Sequence, residues 1–255
     1  MSKIPQEYKF IDLSDYGRVV AKWIANRLKN TSVSPIQVTT WFIISGLLAI
    51  GAMLYHWYTL AAILLIVKSI LDAADGELSR VKNTPSYIGR YYDSIADIIL
   101  NLLFLITISY LTNGSLLYLF FAFVGIQLQG TLYNYYYVIL RNSVHGDTTS
   151  RVLEDAAPIA MPGESQKNVN LFYKVYDTLY IVFDKTIHFL DQTAVKAKPF
   201  PKWFMTLLSA FGLGFQLLIM AIFLVLDRID LIIPFFILFS VLIPVFIFIR
   251  KAFLN

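Results

Sequence analysis

Six apolar stretches, near residues 37–55, 58–77, 92–111, 115–140, 204–226 and 230–250, constrain this chain more than any other feature. Each comes close to the ~20 residues that a helix needs to cross a bilayer. Inside a bilayer no water can satisfy an open backbone, so each stretch is expected to be helical. Very short links at His56–Trp57, Thr112–Ser115 and Asp227–Asp230 make the joined helices tight antiparallel hairpins. Composition agrees, with 57% of residues hydrophobic and 15% charged, where a soluble domain carries about 25% charged residues. The expected fold is all-α: a six-transmembrane-helix bundle with an N-terminal amphipathic interfacial helix and a cytoplasmic helical insertion.

The basic residues orient this bundle. All of the 21 lysines and arginines except Lys68 and Arg228 fall on one side of the six-span arrangement. The positive-inside rule then puts both termini and the two long links in the cytoplasm. The same distribution accounts for the net charge of +4 without nucleic acid as a partner, because basic residues flanking spans face the membrane surface. Residues 1–30 lack the continuous apolar core of a cleavable signal.

Two segments outside the spans have helical periodicity. Residues 13–28 put Leu13, Tyr16, Val20, Trp23, Ile24 and Leu28 at three- and four-residue intervals, opposite Arg18, Lys22 and Lys29. That pattern suits a helix lying on the membrane surface. Residues 170–191 repeat it with Leu171, Val175, Tyr176, Leu179, Phe183, Ile187 and Leu190, while Lys174, Asp177, Asp184, Lys185 and Asp191 oppose a crossing. The polar stretch 142–169 reads as a connecting loop in preference to a lid. Four divisions follow: an N-terminal cytoplasmic and interfacial segment (1–36), spans one to four (37–141), a cytoplasmic loop and amphipathic helix (142–203), and spans five and six (204–255). Gly212 and Gly214 suit close helix packing, and Tyr133–Tyr137 suits the aromatic belt of the membrane interface.

Chemistry concentrates in two short runs, Asp72-Ala-Ala-Asp75-Gly76-Glu77-Leu78-Ser79-Arg80 and Gly89-Arg-Tyr-Tyr-Asp93-Ser-Ile-Ala-Asp97. Spacings of three and four put each aspartate pair on one face of its helix. The short link between the two helices brings those faces together. Four carboxylates at a membrane boundary repel one another and lose hydration, so they call for compensating positive charge. Arg80 and Lys68 supply part of it, and two divalent cations would supply more. Carboxylate-held metal pairs can clamp the attacking and leaving oxygens of a phosphoryl transfer. Cysteine is absent, and His56, His145 and His188 have no metal-type spacing. Oxygen ligands remain, which points to Mg²⁺ or Mn²⁺. Gly76 and Gly89 flank the turn, where a missing side chain lets a ligand's phosphates approach the backbone. The acids alone would also suit a buried ion network or the cation path of a transporter.

Taken together, these residues resemble the signature of the CDP-alcohol phosphotransferase family: D-x-x-D-G-x-x-A-R, eight residues, then G-x-x-x-D-x-x-x-D. Asp72, Asp75, Gly76, Arg80, Gly89, Asp93 and Asp97 match at every spacing, with Ser79 where the family usually has alanine. Ser34-Pro35-Ile36-Gln37-Val38-Thr39 resembles a second family stretch, with Ile36 replacing a polar residue. The resemblance implies a CDP-linked donor, an alcohol acceptor and release of CMP, with CDP-diacylglycerol as the preferred donor in phospholipid synthesis. It implies Asp72, Asp75 and Asp93 as principal metal ligands, and Asp97 as general base that also touches the second metal. Ser34, Gln37, Gly76, Arg80, Ser86 and Gly89 become the candidate donor site, and a homodimer is the family's usual state. An aminoalcohol phosphotransferase working from CDP-choline or CDP-ethanolamine onto diacylglycerol remains an alternative, as does a cation-coupled transporter.

Overall fold

A computed structural model describes residues 4–144 and 151–254, and within them all regular structure is helical. Local sequence sets the helix ends. Ser34 opens α2 (Pro35–Leu54) with a capping box: its side chain accepts from the Gln37 backbone while the Gln37 side chain accepts from the Ser34 backbone. Pro35 at the first helical position has no N–H to leave unsatisfied. Asn83 ends α3 (Tyr58–Lys82) in the left-handed conformation, at φ 54°, which asparagine tolerates better than most residues. Three residues later Ser86 caps α4 (Tyr87–Leu111) by accepting from the Gly89 backbone, a contribution of about 1 kcal/mol. α5 runs from Leu116 to Ser143.

Among the described residues, four segments can cross a membrane by length and composition: α2, α4, α5, and the stretch Ile229–Phe253 that contains α9 (Ile232–Phe239) and α10 (Leu242–Phe253). A bent pair, α7 (Lys202–Leu208) with α8 (Leu213–Val225), raises the count to five. The chain is therefore a multi-pass membrane protein. α3 is as long as α4, at 25 residues, but its interior carries Lys68, Asp72 and Asp75 and it falls outside that count. A large apolar core joins α2, α3, α4, α5, α8 and α9. A second core packs α5 against α7 and α10.

Three expectations from the sequence need revision. The stretch 204–226 is not one helix but bends by 54° at Gly212, which is extended at ψ 150°. The N-terminal segment enters this break. A Cβ on Gly214 would lie 1.9 Å from the Ser14 carbonyl oxygen, and one on Gly212 would lie 2.4 Å from Ser14 Cβ. The two glycines thus admit a neighbouring backbone, as their small size suggested, but its source is the N-terminal segment. The N-terminal helix α1 is also shorter than 13–28, spanning Arg18–Leu28 after a 3₁₀ turn at Leu13–Asp15. Its buried residues are Ala21 and Ala25, packed on Ala74 and Leu78 of α3, while Val19, Val20 and Trp23 face outward. The small alanine pair, one turn apart, lets the two helices approach closely.

The tyrosine run is not a surface belt. Tyr135 and Tyr136 are buried, and both hydroxyls donate to Asp191, at 3.0 Å to its carbonyl and 2.6 Å to its carboxylate. Arg250 Nε donates to the same carboxylate at 2.6 Å. A phenol brings a hydrogen-bond donor along with its ring, so it can serve inside a charged network. This one fastens the end of α6 (Gln166–Leu190) to α5 and α10.

Candidate functional site

α3 and α4 meet through residues 83–86, and their facing sides carry the acidic cluster. One carboxylate oxygen from each of Asp72, Asp75 and Asp93 lies within 4.8 Å of the others. Asp75 is buried and accepts from Thr39 Oγ1 of α2 at 2.5 Å. Asp93 Oδ1 is buried with no hydrogen-bond partner among the described residues. Buried polar oxygens are rarely left without a partner. One carboxylate oxygen from each of three aspartates, gathered around that unpartnered oxygen, makes a donor set of the kind that binds a hard divalent cation, so the residues present fit a metal ion.

Asp97 stands apart from that triad. Its carboxylate is bonded to Lys68 Nζ, which also donates to Asp72 at 3.1 Å. Lys68 is 1% exposed, and its ammonium lies 4.5 Å from the centre of the Phe42 ring. A buried lysine without a partner would be costly, and here two aspartates and an aromatic face hold it.

On the Asp75 and Asp93 side, a cavity of about 800 Å³ opens between the starts of α2 and α4, the end of α3, and residues 161–168. Of the six candidate donor residues, Ser34, Gly76, Arg80, Ser86 and Gly89 line it. Gln37 does not, because its Oε1 accepts from the Ser34 backbone at 2.8 Å in the capping box. Gly76 leaves open space: a Cβ there would meet only the Arg80 guanidinium, at 3.5 Å or more. Arg80 is oriented by Glu77 at 3.0 Å, and Glu77 in turn accepts from Arg18 at 2.7 Å.

Residues that the motif did not single out also build the site. Arg90 and Arg141 contribute to the cavity wall, and Thr39 orients Asp75. The stretch 142–169 does more than connect. Residues 145–150 lie outside the described residues, but Met161–Ser165 and Asn168 form one side of the cavity. Glu164 ties that segment to α4, with Oε1 accepting from Ser86 Oγ at 2.7 Å and from the Ile88 backbone at 2.8 Å. Burial pushes the Glu164 carboxyl up, but bonds from Ser86 and from the Ile88, Met161 and Tyr87 backbones outweigh it and hold it below the ordinary carboxylate range. Thr39 has a sequence signal, since it closes the run that begins at Ser34. Glu164 has none, since its partners lie 76 and 78 residues away.

Asp75 and Asp93 on the wall of a cavity that Arg80, Arg90 and Arg141 also line suit the handling of a phosphate-linked substrate. The profile of the CDP-alcohol phosphatidyltransferase family matches residues 32–159, and the chain belongs to that family. Over 65 residues it is 38% identical to the CDP-diacylglycerol--serine O-phosphatidyltransferase of Bacillus subtilis (strain 168). The aligned part covers 26% of this chain and 37% of that relative, so the chain spans little more than a third of its length.

Proposed function

We propose that this protein transfers a phosphatidyl group from CDP-diacylglycerol to a polar alcohol and releases CMP. The observation that carries the reading is the meeting of Asp72, Asp75 and Asp93 within 4.8 Å beside a cavity of about 800 Å³. Asp72, Asp75 and Asp93 would hold divalent ions, two Mg²⁺ or Mn²⁺. Such ions neutralise charge on the transferring phosphoryl group and polarise its oxygens. Arg80 pairs with the donor diphosphate, and the bare backbone at Gly76 lets that group approach. Ser34, Ser86 and Gly89 complete the donor side.

Asp97 acts as the general base. One helical turn, about 5.4 Å, separates it from Asp93 along α4, so it can face a hydroxyl while Asp93 faces the metals. The acceptor oxygen attacks the lipid-side phosphorus of the diphosphate, and its proton passes to the Asp97 carboxylate. The bond from that phosphorus to the bridging oxygen breaks, and the oxygen leaves on CMP. Lys68 positions Asp97, whose carboxylate would also touch the second ion.

This reading includes α3 as a sixth crossing, the α3–α4 turn and both termini in the cytoplasm, and a homodimeric assembly. Positive charge on the α3–α4 link and the 141–203 segment supports that orientation. Serine is the first acceptor to try, because the Bacillus subtilis relative carries it in its name. The test is CMP release by purified protein from a panel of CDP-linked donors and alcohols, with Mg²⁺ or Mn²⁺. CMP release from CDP-diacylglycerol only when both a metal and an alcohol are present supports the reading. Release from CDP-choline or CDP-ethanolamine with diacylglycerol reverses donor and acceptor. Cation transport without CMP release removes the enzyme reading.

A further inference from the structure

We infer that Met161–Asn168 forms the nucleoside end of the donor cavity, with Glu164 as the residue that positions it. This rests on the CDP-linked donor proposed above. The family match ends at residue 159, yet Met161–Ser165 and Asn168 line the same cavity as Asp75 and Asp93. This wall lies beyond the matched residues and is held by bonds of its own. Gln166 Oε1 accepts from the Ala160 backbone at 2.8 Å, and Gln166 Nε2 donates to the Pro158 carbonyl at 3.0 Å, which closes the loop on itself. Glu164 Oε2 accepts from the Met161 backbone at 3.1 Å while Oε1 takes the two bonds from α4. One carboxylate thus sets both the loop's shape and its distance from the site.

Direction along the cavity decides which part of the donor meets this wall. The diphosphate has to reach the carboxylate triad and Arg80. Acyl chains have to leave toward apolar surface, whereas the far end of the cavity is made by Thr84, Pro85 and Ser86 with exposed Gly163, Ser165 and Asn168. Charge points the same way. The first turn of a helix attracts anions through its free N–H groups, but at α4 the Ile88 N–H is already bonded to Glu164. A carboxylate at that point repels a second phosphate and suits the uncharged base and ribose. The polar wall beside it offers hydrogen-bonding groups for them.

CMP separates this role from general damage, because it carries the nucleoside and no lipid. Glu164→Ala is expected to raise the donor KM and the inhibition constant of CMP together, by roughly tenfold, the equivalent of a lost hydrogen-bonded contact. kcat and the acceptor KM stay within about twofold, as expected when binding is lost equally from ground and transition states. Should Glu164→Ala not yield folded protein, Asn168→Ala reports instead. Asn168 is exposed and outside the Glu164 bonds, and its loss should weaken CMP inhibition by about threefold. Unchanged CMP inhibition in the variant measured, or a fall confined to kcat, overturns the inference. Absence of CMP release by the wild-type protein from every CDP-linked donor is a separate failure, that of the functional reading itself.

Discussion

Two of the buried charge clusters among the described residues are built in opposite ways. At the end of α6, the Asp191 carboxylate meets Arg250, Tyr136 and Thr193, so the one acid and one guanidinium are bonded on every side. Between α3 and α4 stand four aspartates, of which Asp72 and Asp97 share the buried Lys68, and Asp93 Oδ1 has no partner among the described residues. The first cluster closes its charge within the protein and fastens elements together. The second leaves negative charge unmatched beside a cavity, an arrangement that favours a cation from outside.

Breaking each cluster should therefore give opposite phenotypes. The largest effect is expected for Asp75→Asn: CMP release should fall by more than about a hundredfold, while circular dichroism and the thermal midpoint without metal hold or improve. A loss of fold in that variant would make the acid cluster structural after all. Arg250→Met should do the reverse, leaving Asp191 buried without its cation and lowering stability by about 3–5 kcal/mol. Turnover per folded molecule should survive, as read by denaturant unfolding beside an activity assay. A third effect follows from linkage. Mn²⁺ at a hundred times its dissociation constant should stabilise the wild-type protein by about 2.7 kcal/mol and Asp75→Asn far less, in a thermal-shift titration. Equal stabilisation of both would show that metal binds elsewhere.

The smallest effect concerns Asp184 on α6. Burial, then the charges of Glu154 and Asp177, push its carboxyl up to about 7 from the ordinary 3.8. A raised acid pKa means the fold favours the protonated form. The cost of ionising it is fully present above pH 7 and fades as pH falls toward about 4. Asp184→Asn should accordingly raise the melting temperature by a few degrees at pH 8, with the gain shrinking as pH drops through that window. A gain independent of pH would assign the effect to packing.

The acid cluster was legible in the sequence because its geometry is local. Spacings of three and four residues on two helices joined by a short turn leave little freedom in where the side chains point. The starts of α2 and α4 are set just as locally, by Ser34, Pro35 and Ser86, although the apolar stretch 92–111 begins after α4 does. The bend at Gly212 was not, because it accommodates Ser14, and the Leu13 to Ser209 bond there spans 196 positions. The tyrosine run misled for a related reason: its aromatic character suits a membrane interface, while the hydroxyls of Tyr135 and Tyr136 answer to Asp191, 55 residues from Tyr136. Gln37 shows a further limit. One amide serves the capping box, and a motif match cannot tell that use from contact with a ligand.

The central claim is that the α3–α4 carboxylates hold the metal on which transfer from a CDP-linked donor depends. Mn²⁺ binding and CMP release, measured on the same preparations of wild-type protein and Asp93→Asn, test it most directly. The account predicts that the wild-type protein binds Mn²⁺ and releases CMP in proportion to occupancy, and that Asp93→Asn loses both while remaining folded. Undiminished metal-dependent CMP release by Asp93→Asn would contradict it.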